Sequence, residues 1–188
     1  MCSFNQLKSH SDKLLENHLF SVATLSQRIT SSKRLNLDSY IDNKTLQDIS
    51  YLIGAGHDFG KATSYFQKYI NEGNEVEKAK LKNKPETHHS LLSSLFTYYI
   101  VKEYLSKNNL IGEKYYQYLP IIAFFVVKKH HGNLADANDE IICFDESEEK
   151  VLERQIKKID FDKINEIYKR ILAKIGFSFD FKAIRDLI

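Results

Sequence analysis

Apolar residues recur at intervals of three and four along most of the chain, and this spacing constrains the fold more than any other feature. Such spacing places apolar side chains on one face of an α-helix. The 188 residues include only two prolines and seven glycines, too few for a protein of many short strands and frequent turns. The sequence therefore predicts an all-α protein, and its length predicts one domain over residues 1–188.

The first predicted helix, residues 11–29, starts at Ser11 or Asp12. Its buried stripe is predicted to contain Leu14, Leu15, Leu19, Val22, Leu25 and Ile29. A second helix is expected from Asp42 or Asn43 to residues 57–60, followed by a short helix around residues 65–70 and a charged, mobile loop over residues 71–86. Thr87 is predicted to cap the next helix, and Pro120 fits the first turn of an apolar helix, 121–129, expected to be the most buried. Two more helices are predicted at 147–159 and 162–175, with another start at Asp180.

The stretch GAGHDFGK, residues 54–61, places a histidine and an aspartate side by side at the end of the second predicted helix. Adjacent helical residues point about 100° apart, so one salt bridge on one face does not explain His57 and Asp58. The pair is better explained as two ligands whose side chains are directed at one common point. The flanking glycines carry no side chains and so leave room around the backbone there.

The other histidines also gather near predicted helix ends, in the doublets 88–89 and 130–131 and at His18 on the first buried stripe. A single such histidine is more often a hydrogen-bonded core residue. Burying several imidazoles and a carboxylate without compensation would cost several kcal/mol, whereas a shared divalent cation satisfies all of them. Imidazole is a common ligand of Zn, Fe, Ni and Cu and is sometimes one of Mn, so the set predicts a metal site.

Composition excludes some other classes of protein. The 27 lysines and arginines nearly balance the 25 aspartates and glutamates, so the overall charge does not indicate nucleic-acid binding and only a local basic patch would. Cys2 and Cys143 are too few for a disulfide framework or a thiolate zinc site. No hydrophobic leader or membrane-length apolar run is visible, so we expect a cytoplasmic protein with no membrane partner.

The order of these motifs resembles the HD nuclease domain of the CRISPR-associated helicase-nuclease that degrades DNA in type I interference. The likeness spans roughly residues 15–134 and depends on four motifs: His18, His57-Asp58 with Gly60-Lys61, His89-Ser90, and His130-His131-Gly132. It implies a compact multi-helix HD-domain bundle with a metal site at helix ends.

The resemblance also implies a role for each of these residues. One metal would be held by His18, His57 and Asp58, and Asp58 would bridge to a second metal. The ligands of the second metal would be His89, His130 and His131. The implied cofactors are one or two divalent ions per chain, of Mn, Fe, Ni, Co or Mg.

Asp58 and Lys61 are the implied catalytic residues, with Lys61 near the scissile phosphate, although a surface lysine is an equally good interpretation. His88 is expected to be a supporting or surface residue, and His10 to be solvated. The implied substrate is single-stranded DNA, and the implied partners are a CRISPR helicase subunit or domain and the guide-RNA surveillance complex.

Lys61, Lys128 and Lys129 are candidate nucleic-acid contacts, as are the lysines at positions 78, 80, 82 and 84, although exposed lysines are usually just solvated. Two alternatives stay open: an HD phosphohydrolase acting on small nucleotides, and a non-catalytic helical subunit that a metal stabilises.

The sequence departs from the family's pattern in one respect. Family members usually carry another aspartate in a later apolar helix, and no clear counterpart precedes Ile188. Asp180 and Asp186 lack the expected surroundings, and Asp136 and Asp139 are more typical of a solvated loop. We therefore expect either that the chain is truncated before its last helix or that the first metal site is incomplete and weak.

Overall fold

The structure, a computed structural model, describes residues 6–132 and 146–186, apart from the side chain of Ala183. The helices are α1 (Leu15–Ser32), α2 (Asn43–Gly56), α3 (Ser64–Asn71), α4 (Glu75–Lys82), α5 (Ser90–Lys107), α6 (Leu119–Lys128), α7 (Glu146–Ile156), α8 (Phe161–Ala173) and α9 (Lys182–Arg185). Short 3-10 helices cover Phe59–Ala62, Pro85–Thr87 and Tyr116–Tyr118. Two short strands, β1 (Lys8–His10) and β2 (Lys13–Leu14), pair antiparallel. The predicted all-α class is confirmed.

Helices α1 and α2 run antiparallel and pack closely because a glycine faces an alanine between them. A Cβ atom on Gly54 would lie only 2.7 Å from the Cα of Ala23. Larger residues at this contact would therefore hold the two helices further apart. The α2 helix begins at Asn43, within the predicted start, and the Asp42 side chain caps it by accepting a hydrogen bond from the Thr45 amide. This close pair holds the start of α1 beside the end of α2.

Buried aromatic rings fix the remaining helices around this pair. Phe59 stacks on Phe96 of α5, with ring centroids 3.9 Å apart, and Tyr168 of α8 packs edge-on against Phe96. The hydroxyl of Tyr168 donates a hydrogen bond to the Ala55 carbonyl, 2.7 Å away. The turn that follows α2 is therefore anchored from both sides of the core.

The first helix differs from its prediction at the start and in its buried face. It begins at Leu15, because residues 8–14 form the β1–β2 hairpin, and no side chain caps it. Its buried face contains Leu15, Leu19 and Ala23, whereas Leu25 and Ile29 are 56% and 50% exposed. Leu25 lies two residues beyond Ala23, about 200° around the helix, so it points away from the core.

The predicted loop over residues 71–86 contains a helix, α4, and this prediction was wrong. The Asn74 side chain accepts hydrogen bonds from the amides of Val76 and Glu77, which caps α4 despite its high charge. Thr87 does not cap α5: its hydroxyl donates to the Leu81 carbonyl, and α5 begins at Ser90 after His89.

Pro120 lies in the first turn of α6 as predicted, but α6 is not the most buried helix. Ile122 and Val126, one turn apart, are 49% and 41% exposed, so only one face of α6 packs on the core. Within the described residues, no helix is both long enough and apolar enough to cross a membrane.

Candidate metal centre

Four helix ends meet around the carboxylate of Asp58. His18 lies in the first turn of α1, and His57 and Asp58 follow α2. His89 immediately precedes α5, and the histidines at 130 and 131 follow α6. Asp58 itself is only 2% exposed, because the 3-10 turn and the aromatic core cover its backbone.

Each oxygen of Asp58 faces its own group of imidazoles. Oδ2 lies 2.8 Å from Nε2 of His18 and 3.3 Å from Nε2 of His57. Oδ1 lies 2.9 Å from Nε2 of His89 and 3.5 Å from Nε2 of His130. Nε2 of His131 lies 3.0 Å from Nε2 of His89, which adds it to the second group. The structure thus brings together all six predicted ligands in two groups that share Asp58.

The ligand atoms within each group are close enough to share one ion. In the group of His18, His57 and Asp58, and in the group of Asp58, His89, His130 and His131, all ligand atoms lie within 4.8 Å of one another. Imidazole nitrogens and carboxylate oxygens are suitable donors for divalent transition metals. The assignment of these residues as ligands stays a prediction, and the geometry is what a two-ion site needs.

The backbone fixes which ring nitrogen carries the proton in two of these histidines. Nδ1 of His57 lies 2.8 Å from the Gly54 carbonyl, and Nδ1 of His130 lies 2.6 Å from the Val127 carbonyl. A carbonyl oxygen only accepts, so each Nδ1 must donate. Each Nε2 then carries a lone pair directed at the Asp58 carboxylate. Metal-binding histidines are commonly oriented in this way.

Lone pairs facing a carboxylate repel it unless a cation lies between them. Several buried polar atoms at this site also lack a hydrogen-bond partner among the described residues. The buried atoms His18 Nδ1, Asp58 Oδ1 and His130 Nε2 make no hydrogen bond within the described part of the chain. Buried unpaired polar atoms are uncommon and costly. A divalent ion would compensate the Asp58 and His130 atoms, so these residues fit a metal.

The protonation states also favour metal binding. Burial alone would raise the pKa of Asp58, but hydrogen bonds from nearby imidazoles, including those of His18 and His89, hold it far below its usual range. Burial lowers the pKa of His89, and burial together with the neighbouring His130 and His89 lowers the pKa of His131 to about 4. The carboxylate is therefore charged and these two imidazoles are neutral at pH 7, as ligands must be.

Two positions around the His-Asp pair are glycines because a side chain would not fit there. A Cβ atom on Gly60 would lie 2.6 Å from the His89 carbonyl oxygen, and one on Gly56 would lie 2.1 Å from Oγ1 of Thr97. The Gly60 amide also donates to Oγ of Ser93, 2.9 Å away. These contacts hold the α2 turn directly against the start of α5, which places His89 beside Asp58.

Lys61 is buried, with only 6% of its surface exposed, so the structure does not favour the surface-lysine interpretation. Its Nζ lies 2.8 Å from Oδ2 of Asp58 and 5.3 Å from the centre of the Phe66 ring. Lys61 is therefore a buried cation in direct contact with the carboxylate that both ligand groups share.

The other sequence candidates lie outside the two ligand groups. His88 is exposed, and its carbonyl accepts a hydrogen bond from the Gln155 side chain. Asp180 and Asp186 are exposed on the last segment, and Asp136 and Asp139 lie outside the described residues. Lys128 and Lys129 are half-buried at the end of α6, next to His130, and their role in nucleic-acid binding stays a prediction.

His10 lies near the site, although its sequence position did not predict this. It is exposed, as expected, but its ring meets that of His18 edge-on at 5.1 Å, so it lies at the border of the site. Oγ of Ser9 lies 3.1 Å from its Nδ1. The polar start of the chain gave no signal of the β1–β2 hairpin that brings His10 there.

An all-helical domain whose helix ends converge on a His-Asp cluster defines an HD-type, metal-binding hydrolase. Residues 8–180 match the model of the family described as "Cas3, HD domain", so the chain belongs to this family of CRISPR-associated, metal-dependent HD nucleases. Comparisons with curated proteins and with solved structures gave no match.

Proposed function

We propose that this protein is a metal-dependent nuclease that hydrolyses phosphodiester bonds of single-stranded DNA in type I CRISPR interference. The proposal is supported most by one observation: a single buried carboxylate is shared by two groups of imidazoles, each close enough to hold one ion. Two ions about 3.5–4 Å apart stabilise both the attacking and the leaving oxygen of a phosphodiester. We propose His18, His57, Asp58, His89, His130 and His131 as the ligands.

Bound divalent ions would supply Lewis-acid activation of water and of the phosphoryl group. The protein's own contribution is to position charge. Asp58 holds both groups together through its two oxygens, and the carbonyls of Gly54 and Val127 keep His57 and His130 in the ligand tautomer. Lys61 is placed to balance negative charge on the phosphate in the transition state.

The direction of substrate approach follows from exposure. His131 is the exposed member of the cluster, whereas Asp58 and Lys61 are buried beneath it, so a strand would reach the centre from the His131 side. Membership of the CRISPR-associated family supports single-stranded DNA as substrate and a helicase subunit or domain and a guide-RNA surveillance complex as partners, acting in the cytoplasm.

The test combines metal analysis with cleavage. The purified chain is loaded with Mn, Fe, Ni, Co or Mg, its metal content per chain is counted, and labelled single-stranded DNA, duplex DNA, dNTPs and cyclic nucleotides are offered in parallel. We expect one or two ions per chain and preferential cleavage of single-stranded DNA, both lost in Asp58→Ala.

Two results would contradict the proposal. Hydrolysis confined to dNTPs or cyclic nucleotides would identify a small-nucleotide phosphohydrolase. A metal-loaded protein that is inert with every ion, and in which Asp58→Ala changes only the melting temperature, would identify a non-catalytic subunit.

A further inference from the structure

A groove of about 1010 Å³ is lined by residues that adjoin the candidate metal centre along the chain. Its lining includes Ala62, which follows Lys61, and Thr87, which lies two residues before His89. Phe66, which follows the lining residue Tyr65, has its ring 5.5 Å from the His89 ring and 5.3 Å from Nζ of Lys61. The same short segments of the chain therefore contribute residues to both the groove and the candidate metal centre.

Backbone pairing joins two of the segments that line the groove. Thr63 and Ile159 form an isolated antiparallel bridge, and the Ser64 amide donates to the Lys158 carbonyl at 2.9 Å. Thr63 is fully buried and caps α3 by accepting from the Phe66 amide. This pairing joins the start of α3 to the α7–α8 connection, and it sets the position of Lys158 on the groove wall.

The charges that line the groove do not cancel. Four lysines and three acidic residues face it: Lys68, Lys84, Lys158, Lys163, Glu72, Glu86 and Asp160. Asp160 pairs with Lys163, and Glu86 pairs with Arg154 from outside the lining.

The remaining three lysines at 68, 84 and 158 form no ion pair with any other described residue, and only Glu72 opposes them. All three are exposed, so their ammonium groups are free to meet a ligand. An excess of unpaired cations along an extended groove complements a chain of phosphates.

Tyr65 adds an aromatic ring to the same lining. Tyrosine rings stack on bases whatever the sequence. Lysines that meet phosphates, together with an aromatic ring beside them, are the combination that holds single strands without sequence preference.

We propose that this groove, lined by Tyr65, Lys68, Lys84 and Lys158, holds the sugar-phosphate backbone of the single strand that the metal centre cuts. The proposal rests on the proposed nuclease function but adds a binding site that contains none of the candidate metal ligands. It assigns the groove to affinity for the strand, and it leaves the hydrolytic step to the metal centre.

The test is binding of a fluorescein-labelled 20-nucleotide oligothymidylate to the metal-free chain, followed by anisotropy between 50 and 200 mM salt. In Lys68→Glu/Lys158→Glu we expect affinity at least about tenfold lower and a salt slope smaller by about 1.4, since each phosphate contact on a single strand contributes about 0.7. The matched control is Lys33→Glu/Lys102→Glu. It makes the same change in net charge on exposed residues, and Lys102 lies 13 residues along α5 from His89, about 20 Å away.

The proposal is overturned if the groove variant binds the oligonucleotide within twofold of the unaltered chain, or if the control variant loses as much affinity. Hydrolysis of bis(p-nitrophenyl) phosphate by the metal-loaded proteins separates this result from failure of the proposed function. We expect the groove variant to hydrolyse this small diester at the unaltered rate while its KM for single-stranded DNA rises. A chain that hydrolyses no diester at all overturns the nuclease proposal, and the binding assay still decides the groove.

Discussion

Two aspartates of the described residues are almost completely buried, and the groups around them differ in a way that distinguishes a structural carboxylate from a candidate metal ligand. Asp48, 1% exposed, lies in the middle of α2, and Asp58, 2% exposed, lies just beyond its end. Asp48 accepts a hydrogen bond from the Tyr104 hydroxyl at 2.7 Å, pairs with Lys44 and lies 3.4 Å from Nε2 of Gln27. Every neighbour of Asp48 offers it a proton.

The neighbours of Asp58 are of another kind. Lys61 offers it a proton, but His57 and His130 direct lone pairs at it, because their protons are used on backbone carbonyls. One of its oxygens makes no hydrogen bond within the described residues. Burial of a carboxylate alone therefore does not indicate a functional site. The useful signal is a buried carboxylate with acceptors among its neighbours, since a bound cation would compensate such an arrangement.

The strongest way to break this comparison is to remove each carboxylate. We expect Asp58→Ala to lower cleavage more than about 1,000-fold, because a bridging ligand contributes several kcal/mol of charge stabilisation through the ions it holds. Metal content per chain should fall in parallel, and added metal should no longer raise the melting temperature. Cleavage within tenfold of the unaltered protein would contradict the assignment of Asp58.

The matched variant Asp48→Ala should lower the stability of the protein and leave its metal content unchanged. It leaves the buried hydroxyl of Tyr104 without its acceptor, so we expect the free energy of unfolding to fall by about 3 kcal/mol. Metal content should be unchanged below the lowered melting temperature. Loss of metal in Asp48→Ala, at a temperature where the variant is folded, would show that the two carboxylates are not distinct in role.

Gly60→Ala tests whether metal binding at Asp58 depends on close packing of the backbone beside it. The new Cβ atom would lie 2.6 Å from the His89 carbonyl oxygen, so the start of α5 must shift. Overpacking of this kind costs about 1–3 kcal/mol, and we expect metal affinity to fall about tenfold in isothermal titration. Gly73→Ala is the control, because nothing lies within 4 Å of its added Cβ; its stability should change by less than about 0.5 kcal/mol.

The smallest expected effect is that of pH on the metal-free protein. His131 has its pKa lowered to about 4 from an ordinary value of 6.5, so the folded state binds its proton less readily than the unfolded chain does. The contribution of His131 to the free energy of unfolding is fully present above pH 6.5 and falls as the pH drops towards 4. The decline in melting temperature over this range should be smaller in His131→Gln; an identical decline in both proteins would exclude His131 as its source.

The sequence predicted most helices and the set of residues that meets at the site, because both leave local signals. Apolar spacing marks α2, α5 and α8, and the His-Asp pair and the histidine doublets mark helix ends. Helix α4 was missed because its charged sequence buries no residue, and its stability depends on the Asn74 cap. The exposed side of α6 was missed because an apolar sequence does not reveal which of its faces lacks a neighbour.

The buried position of Lys61, the contact of His10 with His18 and the whole environment of Asp48 also could not be predicted. Each depends on residues far apart in sequence, such as Tyr104 against Asp48, for which the sequence contains no periodic pattern. The hairpin that carries His10 is held by the Leu7 carbonyl, which accepts from the Leu15 amide, and such pairing is visible only in three dimensions.

The imidazoles that meet at Asp58 come from positions as far apart as 18 and 131. An ion bound by the second group would act as a reversible cross-link between Asp58 and His131, closing a loop of about seventy residues, and permanent links of that span restrict the unfolded chain by about 4–5 kcal/mol. Each tenfold rise in free ion above the dissociation constant would add about 1.4 kcal/mol to stability. We therefore expect removal of the metal to lower the stability of the fold and to increase its susceptibility to proteolysis.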